Sequence, residues 1–227
     1  MMKFEGISKQ YLLGQNRVSA LSDVSGQITQ GELVALCGPS GSGKSTLLNI
    51  LGMLDTHYDG EIKFGSQVLS KNPKSLIQFR RQNLGFIFQR FNLIPVMSAL
   101  ENVSYPLMLN GLSTQEQHAQ SFAMLEKVGL GDWAHHRPDA LSGGQQQRVA
   151  IARALVHKPS LVIADEPTAS LDSASASQVI ELMKALGHEL KTTFIVATHD
   201  SRMATRCDRT IELIDGKTSH NAYQWAS

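Results

Sequence analysis

The sequence predicts an α/β protein built on a mostly parallel sheet, and three short apolar runs carry that prediction. Leu33-Val34-Ala35-Leu36-Cys37, Leu161-Val162-Ile163-Ala164 and Phe194-Ile195-Val196-Ala197 are continuous rather than alternating, the pattern of strands covered on both faces. Each is followed by polar residues, which puts chemistry at the carboxyl ends of the strands. Two further textures surround this core. Residues 1–30 hold β-prone pieces at Val18 to Leu21 and Val24 to Ile28, and Gly60-Glu61-Ile62-Lys63-Phe64-Gly65 with Gln67-Val68-Leu69 reads as a hairpin; an antiparallel β part beside the main sheet is expected. Between about 90 and 140 the pattern turns helical. Ser113-Thr114-Gln115-Glu116 is a capping box, Ala119, Phe122, Leu125 and Val128 recur at helical steps, and Gly129 closes the run. The expected division is a core of about 1–89 and 141–227, with a helical lobe of about 90–140 inserted.

A chain of 227 residues fits one large domain of this kind, and 42% hydrophobic residues suffice for its core. A formal net charge of +1 is not the electrostatic footprint of a nucleic-acid binder. No run approaches the roughly 18 apolar residues that cross a bilayer, and the N-terminus lacks a charged-then-apolar signal pattern. A cytoplasmic chain is expected, so any work at a membrane needs a partner there. Cys37 and Cys207 match no disulfide or metal spacing; a reducing compartment follows, with Cys37 a small buried thiol.

Gly38-Pro39-Ser40-Gly41-Ser42-Gly43-Lys44-Ser45-Thr46 lies between the first apolar run and a helix expected from about Lys44 through Leu47, Leu48, Ile50 and Leu51. Its glycines let the backbone curl so that N–H groups point at phosphate oxygens, with a helix N-terminus behind them. Lys44 supplies a point charge for β- and γ-phosphates, and the Ser45 hydroxyl suits Mg²⁺, which prefers oxygen ligands. A glycine-rich turn without a ligand is the plain alternative, and the strand before and helix after it favour phosphate binding.

Asp165 and Glu166 end the second apolar run. The aspartate can hold Mg²⁺ through a water, and the next carboxylate can orient and deprotonate an attacking water; a solvated acidic pair is the alternative. His199, in Ala197-Thr198-His199-Asp200, ends the third run, where an imidazole can donate a hydrogen bond to a γ-phosphate. The other seven histidines read as structural or surface residues. Leu141-Ser142-Gly143-Gly144-Gln145 opens a helix with Val149, Ile151, Ala152 and Leu155 inward. Its first N–H groups form a second anion site, although by itself the segment reads better as a helix start capped by Ser142.

The combination of this second glycine turn, placed 21 positions before Asp165, with the upstream phosphate loop resembles the ATP-binding cassette (ABC) ATPases. The resemblance covers essentially the whole chain. It implies a P-loop NTPase core with a mostly parallel sheet, an N-terminal antiparallel β subdomain and an inserted helical subdomain. It implies ATP and Mg²⁺ as ligands and a transport-coupled ATPase reaction. Gln89, in Gly85-Phe86-Ile87-Phe88-Gln89, looks like the family's hinge glutamine, whose oxygen reaches Mg²⁺. Ser142, Gly143, Gly144 and Gln145 look like the loop that binds the γ-phosphate held by another subunit. Two copies would then face each other head to tail with two ATP molecules in the seam. Ser170-Leu171-Asp172 matches the loop crossing that seam, and Tyr11 the aromatic that stacks on adenine, with Val18 nearby.

Arg80-Arg81, Asn92-Leu93-Ile94-Pro95, Leu100-Glu101-Asn102-Val103 and Asp215-Gly216 look like the subgroup serving macrolide export, lipoprotein release and cell division. The implied partner is an integral membrane permease, no nucleic acid is implied, and the chain would sit on the inner face of the cell membrane through that permease. An energy-supplying subunit of an exporter or release system is expected; a signalling ATPase that moves no substrate is the alternative. A small-molecule kinase shares only the first glycine loop, and ABC proteins of translation or DNA repair are disfavoured because they carry two cassettes or long coiled coils. Phe91, Leu93 and Ile94 would either receive a short helix of the permease or pack within the lobe. Gly26 departs from the usual apolar residue and is expected to loosen an edge strand; Met53 replaces a small residue. With eleven residues after Gly216, the regulatory C-terminal domain of some importers is expected to be absent.

Overall fold

The computed structural model describes residues 1–14 and 16–218. In chain order the elements are β1 (Met2–Leu13), β2 (Asn16–Ile28), β3 (Leu33–Cys37), α1 (Lys44–Leu51), β4 (Asp59–Phe64), β5 (Gln67–Val68), α2 (Pro73–Asn83) and β6 (Leu84–Ile87). They continue with α3 (Ala99–Leu109), α4 (Thr114–Lys127), α5 (Gly143–Leu155), β7 (Leu161–Asp165), α6 (Ser173–Leu190), β8 (Thr193–Ala197), α7 (Ser201–Ala204), β9 (Arg209–Ile214) and β10 (Lys217–Thr218). The tail after Gly216, read from the sequence as too short for a further domain, lies from residue 219 onward outside the described residues. The chain gathers into two units, Met1–Arg80 with the chain from Thr193 onward, and Arg81–Thr192.

In the first unit β3 runs parallel to β8 on one side and to β9 on the other, with Leu36 opposite Ala197 and Ile211. Val34, Ala35 and Leu36, and Phe194 to Ala197, are all within 1% of full burial, which is why both strands read as unbroken apolar runs. Arg209 of β9 donates from Nε to Glu32 at 2.7 Å, just ahead of β3. A separate antiparallel sheet has the order β2-β1-β4-β5, as the β-prone pieces predict.

Gly26 has a reason in this sheet. It pairs directly with Phe4 across β1 and β2, and a Cβ on it would lie 2.6 Å from Phe4 Cζ. The Phe4 ring, 1% exposed, occupies that space. The glycine therefore admits a buried ring, where the sequence suggested only a loosened edge. Cys37 is half-buried rather than buried, because it ends β3 at the sheet margin.

The second unit holds the parallel pair β6 and β7, with Ile87 opposite Ala164, and the helices α3 to α6. Capping boxes start three of them: Ser98 with Glu101, Ser113 with Glu116, and Ser142 with Gln145. Each satisfies two first-turn N–H groups that a helix cannot pair internally. The fully buried Asn102 amide accepts from Ile94 N–H at 2.8 Å and donates to the carbonyls of Ile94, Met97 and Ser98. This fastens the 94–98 segment onto α3. Helix α5 lies so close to β6 that a Cβ on Gly85 would meet the Ala154 carbonyl oxygen at 2.2 Å.

Candidate functional site

In the first unit, the loop Gly38–Thr46 leaves the carboxyl end of β3 and enters α1 at Lys44. Gly43 caps α1 in the left-handed region, with φ 101°, and a Cβ there would lie 2.5 Å from the Ala20 carbonyl oxygen; only glycine meets both conditions. A Cβ on Gly38 would lie 2.0 Å from the Leu213 carbonyl oxygen. Pro39, Ser40, Gly41 and Ser45 are exposed, Thr46 is half-buried, and Ser42 is buried. The Ser42 hydroxyl has no hydrogen-bond partner among the described residues. Lys44 folds back, donating from Nζ to the carbonyls of Gly38 at 2.8 Å and Pro39 at 2.9 Å, so its charge spans the loop.

His199 is exposed two residues past the end of β8. Thr198, fully buried, donates its N–H to the Leu36 carbonyl at 3.2 Å, which holds His199 at the sheet end where the glycine loop begins. Asp200 then caps α7 and pairs with Arg202 at 2.7 Å. Tyr11 and Val18 face one another across β1 and β2, at 40% and 44% exposure. Both are exposed rather than core residues. Lys9 Nζ lies 5.1 Å from the Tyr11 ring centre and is anchored by Asp55 at 2.7 Å and the His57 carbonyl at 2.6 Å.

In the second unit, the parallel pairing of β6 and β7 brings Gln89 and Asp165 to the same end of neighbouring strands. Gln89 is exposed, and its carbonyl accepts from Ser170 Oγ at 3.0 Å. Asp165 and Glu166 are half-buried, and Glu166 has φ 48°, a left-handed conformation unusual for a side chain of this size. Ser142 accepts from Gln145 N–H at 3.3 Å, and Gln145 Oε1 accepts from Ser142 N–H at 2.8 Å. The first-turn N–H groups of Gly143 and Gly144 have no carbonyl within α5 to bond and sit at its positive end. A Cβ on Gly143 would lie 3.7 Å from Leu171 and 3.8 Å from Phe91, and one on Gly144 3.1 Å from Ser175 Oγ. Ser175 in turn donates to Asp172 at 2.7 Å. That bond, with the Ser175 and Ala174 N–H groups, holds the Asp172 carboxyl below its usual range.

Two side chains were not singled out in the sequence. Gln147, fully buried, donates from Nε2 to the Pro167 carbonyl at 2.6 Å. Arg153 donates to the carbonyls of Asn92 at 2.6 Å and Phe91 at 2.8 Å, and burial pushes its guanidinium pKa down. Both lie in a helical pattern that reads as polar positions of α5, and no local signal marks their distant partners. The hydroxyl, amide and carboxylate oxygens of Ser45, Gln89 and Asp165 are the hard donors that suit Mg²⁺.

Residues 21–169 match the family model described as ABC transporter. The chain is 47% identical over 214 residues to the lipoprotein-releasing system ATP-binding protein LolD of Pseudoalteromonas translucida, covering 94% of this chain and 92% of that protein. It is 45% identical over 218 residues to the macrolide export ATP-binding/permease protein MacB of Hyphomonas neptunium, covering 96% of this chain and 34% of that longer protein. Among solved structures it superimposes on the dimeric ATP-binding cassette MJ0796 in a post-hydrolysis state bound to ADP and Pi. There the TM-score is 0.88 and the identity 41%, over 97% of each chain. The fold matches these structures: a P-loop core, an antiparallel N-terminal sheet and an inserted helical region.

Proposed function

The chain belongs to the ABC transporter family as an ATP-binding, ATP-hydrolysing subunit, and from that premise we propose that it powers a separate membrane permease of the lipoprotein-release or export type. The observation that carries this reading is that one chain holds two anion cradles, one in each unit. The Gly38–Thr46 loop is one, and the open N-terminus of α5 at Ser142–Gln145 is the other. The likeness to LolD supports the release type, and the joined ATP-binding and permease parts of MacB support a permease partner. The likeness to dimeric cassettes supports pairing with a second copy. No described helix is long and apolar enough to cross a membrane; in this reading the permease supplies attachment to the inner face of the cell membrane. Residues 1–227 are read as one ABC ATPase domain.

Each copy binds ATP on its own Gly38–Thr46 loop, with Lys44 on the phosphates and Tyr11 and Val18 against the adenine. The partner copy closes over the γ-phosphate with Ser142, Gly143, Gly144 and Gln145, while Asp172 lies along the seam. Ser45, Gln89 and Asp165 would hold Mg²⁺. When bound, that ion neutralises phosphate charge and draws electron density from the reacting phosphorus. Glu166 orients the attacking water and accepts its proton, and His199 donates a hydrogen bond to the γ-phosphate. Binding thus draws two copies together, and loss of the γ-phosphate removes what both copies share.

Replacing Glu166 with glutamine tests the reading. The variant keeps ATP binding, loses roughly 10²–10⁴-fold in turnover, and accumulates an ATP-bound dimer on sizing chromatography. A persistent monomer hydrolysing at the full rate overturns it.

A further inference from the structure

We propose that Arg153 is a positioning residue that clamps the turn after Gln89 to helix α5, so that Gln89 and the Ser142–Gln145 loop move as one body. The turn is unusual. Phe91 and Asn92 both have positive φ, at 61° and 48°, and side-chain-bearing residues adopt that conformation reluctantly, all the more in succession. Arg153 bonds to the carbonyls of these same two residues, with Nη2 on Phe91 and Nη1 on Asn92. A planar guanidinium presents its donors as a rigid fork that matches two neighbouring oxygens, which an ammonium cannot do. Arg153 also lies in the last turn of α5, where a cation is favoured by the helix dipole.

Three further contacts join the same pieces. The Phe91 ring tip lies 3.8 Å from where a Gly143 Cβ would be, so the ring of the turn faces the loop that α5 begins with. Gly85 of β6 meets the Ala154 carbonyl with no room for a side chain. His157, just past α5, is 3.0 Å from the Leu84 carbonyl at the start of β6. The strand that leads to Gln89 is therefore fastened to α5 at its start, and beyond its end Arg153 fixes the turn that follows Gln89. A movement of α5 toward a partner copy's nucleotide carries Gln89 with it.

The activity part of this proposal rests on the reading of Gln89 as a Mg²⁺ ligand, so the test has two separate readouts. Hydrogen exchange of amides 88–93 is compared in the full chain and in Arg153→Met and Arg153→Lys. ATP hydrolysis is titrated with Mg²⁺ in the same variants and in Gln89→Ala, and ATP affinity is measured in EDTA. Arg153→Met is expected to speed exchange at 88–93 roughly tenfold, with α3 and α4 unchanged. It should also raise the Mg²⁺ needed for half-maximal turnover as far as Gln89→Ala does, with metal-free ATP affinity unaltered. Arg153→Lys, which keeps the charge but not the fork, falls between. Unchanged exchange at 88–93, or loosening spread evenly over the helices, overturns the clamp. If exchange rises but neither Gln89→Ala nor Arg153→Met moves the Mg²⁺ requirement, the metal role of Gln89 falls and the clamp stands.

Discussion

Gln147 donates from Nε2 to the carbonyl oxygen of Pro167 at 2.6 Å, one residue beyond Glu166. Gln147 is fully buried, and only its NH₂ end can face a carbonyl, so the amide has one orientation. Glu166 itself holds φ 48°. The bond therefore braces a strained carboxylate from α5, the helix that begins with the Ser142–Gln145 loop.

Gln147→Met keeps the volume and removes the donor, leaving a buried carbonyl unpaired. Chemical denaturation should show a loss of about 1–3 kcal/mol. In steady-state hydrolysis, kcat should fall while the KM for ATP holds, because the nucleotide loop is untouched. A fall in KM-weighted affinity with kcat intact would place Gln147 in binding instead.

Lys44→Ala removes the charge that spans the Gly38–Pro39 carbonyls. Nucleotide titration by fluorescence should show binding abolished, with the melting temperature near that of the unmodified chain. Unchanged ATP affinity would sink the assignment of Lys44 to the phosphates.

Gly26→Ala forces a Cβ to within 2.6 Å of the Phe4 ring. Overpacking of this kind costs about 1–3 kcal/mol, read as a melting temperature several degrees lower. Adding Phe4→Leu, which vacates the ring's place, should recover part of the loss if the clash is the cause. No recovery in the double variant would point to the backbone of β2 instead.

Glu32 supplies a pH dependence. Burial alone would raise its carboxyl pKa, but the Arg209 guanidinium and the Thr29 N–H together hold it below the ordinary value. A carboxyl with a folded pKa below its unfolded value of about 4.3 stabilises the fold fully above that pH. The contribution disappears as pH falls through the folded pKa. The melting-temperature gap between the unmodified chain and Glu32→Gln should be widest near neutrality and close below about pH 4.3. A gap that persists undiminished to lower pH would remove Glu32 as its source.

Much of the architecture was legible because it follows from local chemistry. β3, β7 and β8 announce themselves by apolar runs, since a strand covered on both faces needs no polar residue. The start of α5 is legible because Ser142 and Gln145 satisfy N–H groups three residues away. Within each unit, His199 beside the origin of the glycine loop and Gln89 beside Asp165 follow from chemistry placed at the carboxyl ends of parallel strands. Cys37 was misread as buried because it closes β3 at the sheet end. The need for Gly26 depends on Phe4 across the strand, and a single segment does not say what lies there.

By itself, the order of amino acids determined which stretches become strands and helices, where the helices begin, and which residue types stand ready for a triphosphate. Those properties arise from side-chain solubility and from hydrogen bonds spanning three or four residues. Only the tertiary structure decided that Arg153 holds the carbonyls of Phe91 and Asn92, that Gln147 braces the turn beyond Glu166, and that Phe4 fills the space over Gly26. Each of these joins residues at least twenty positions apart, whose meeting depends on how whole elements pack.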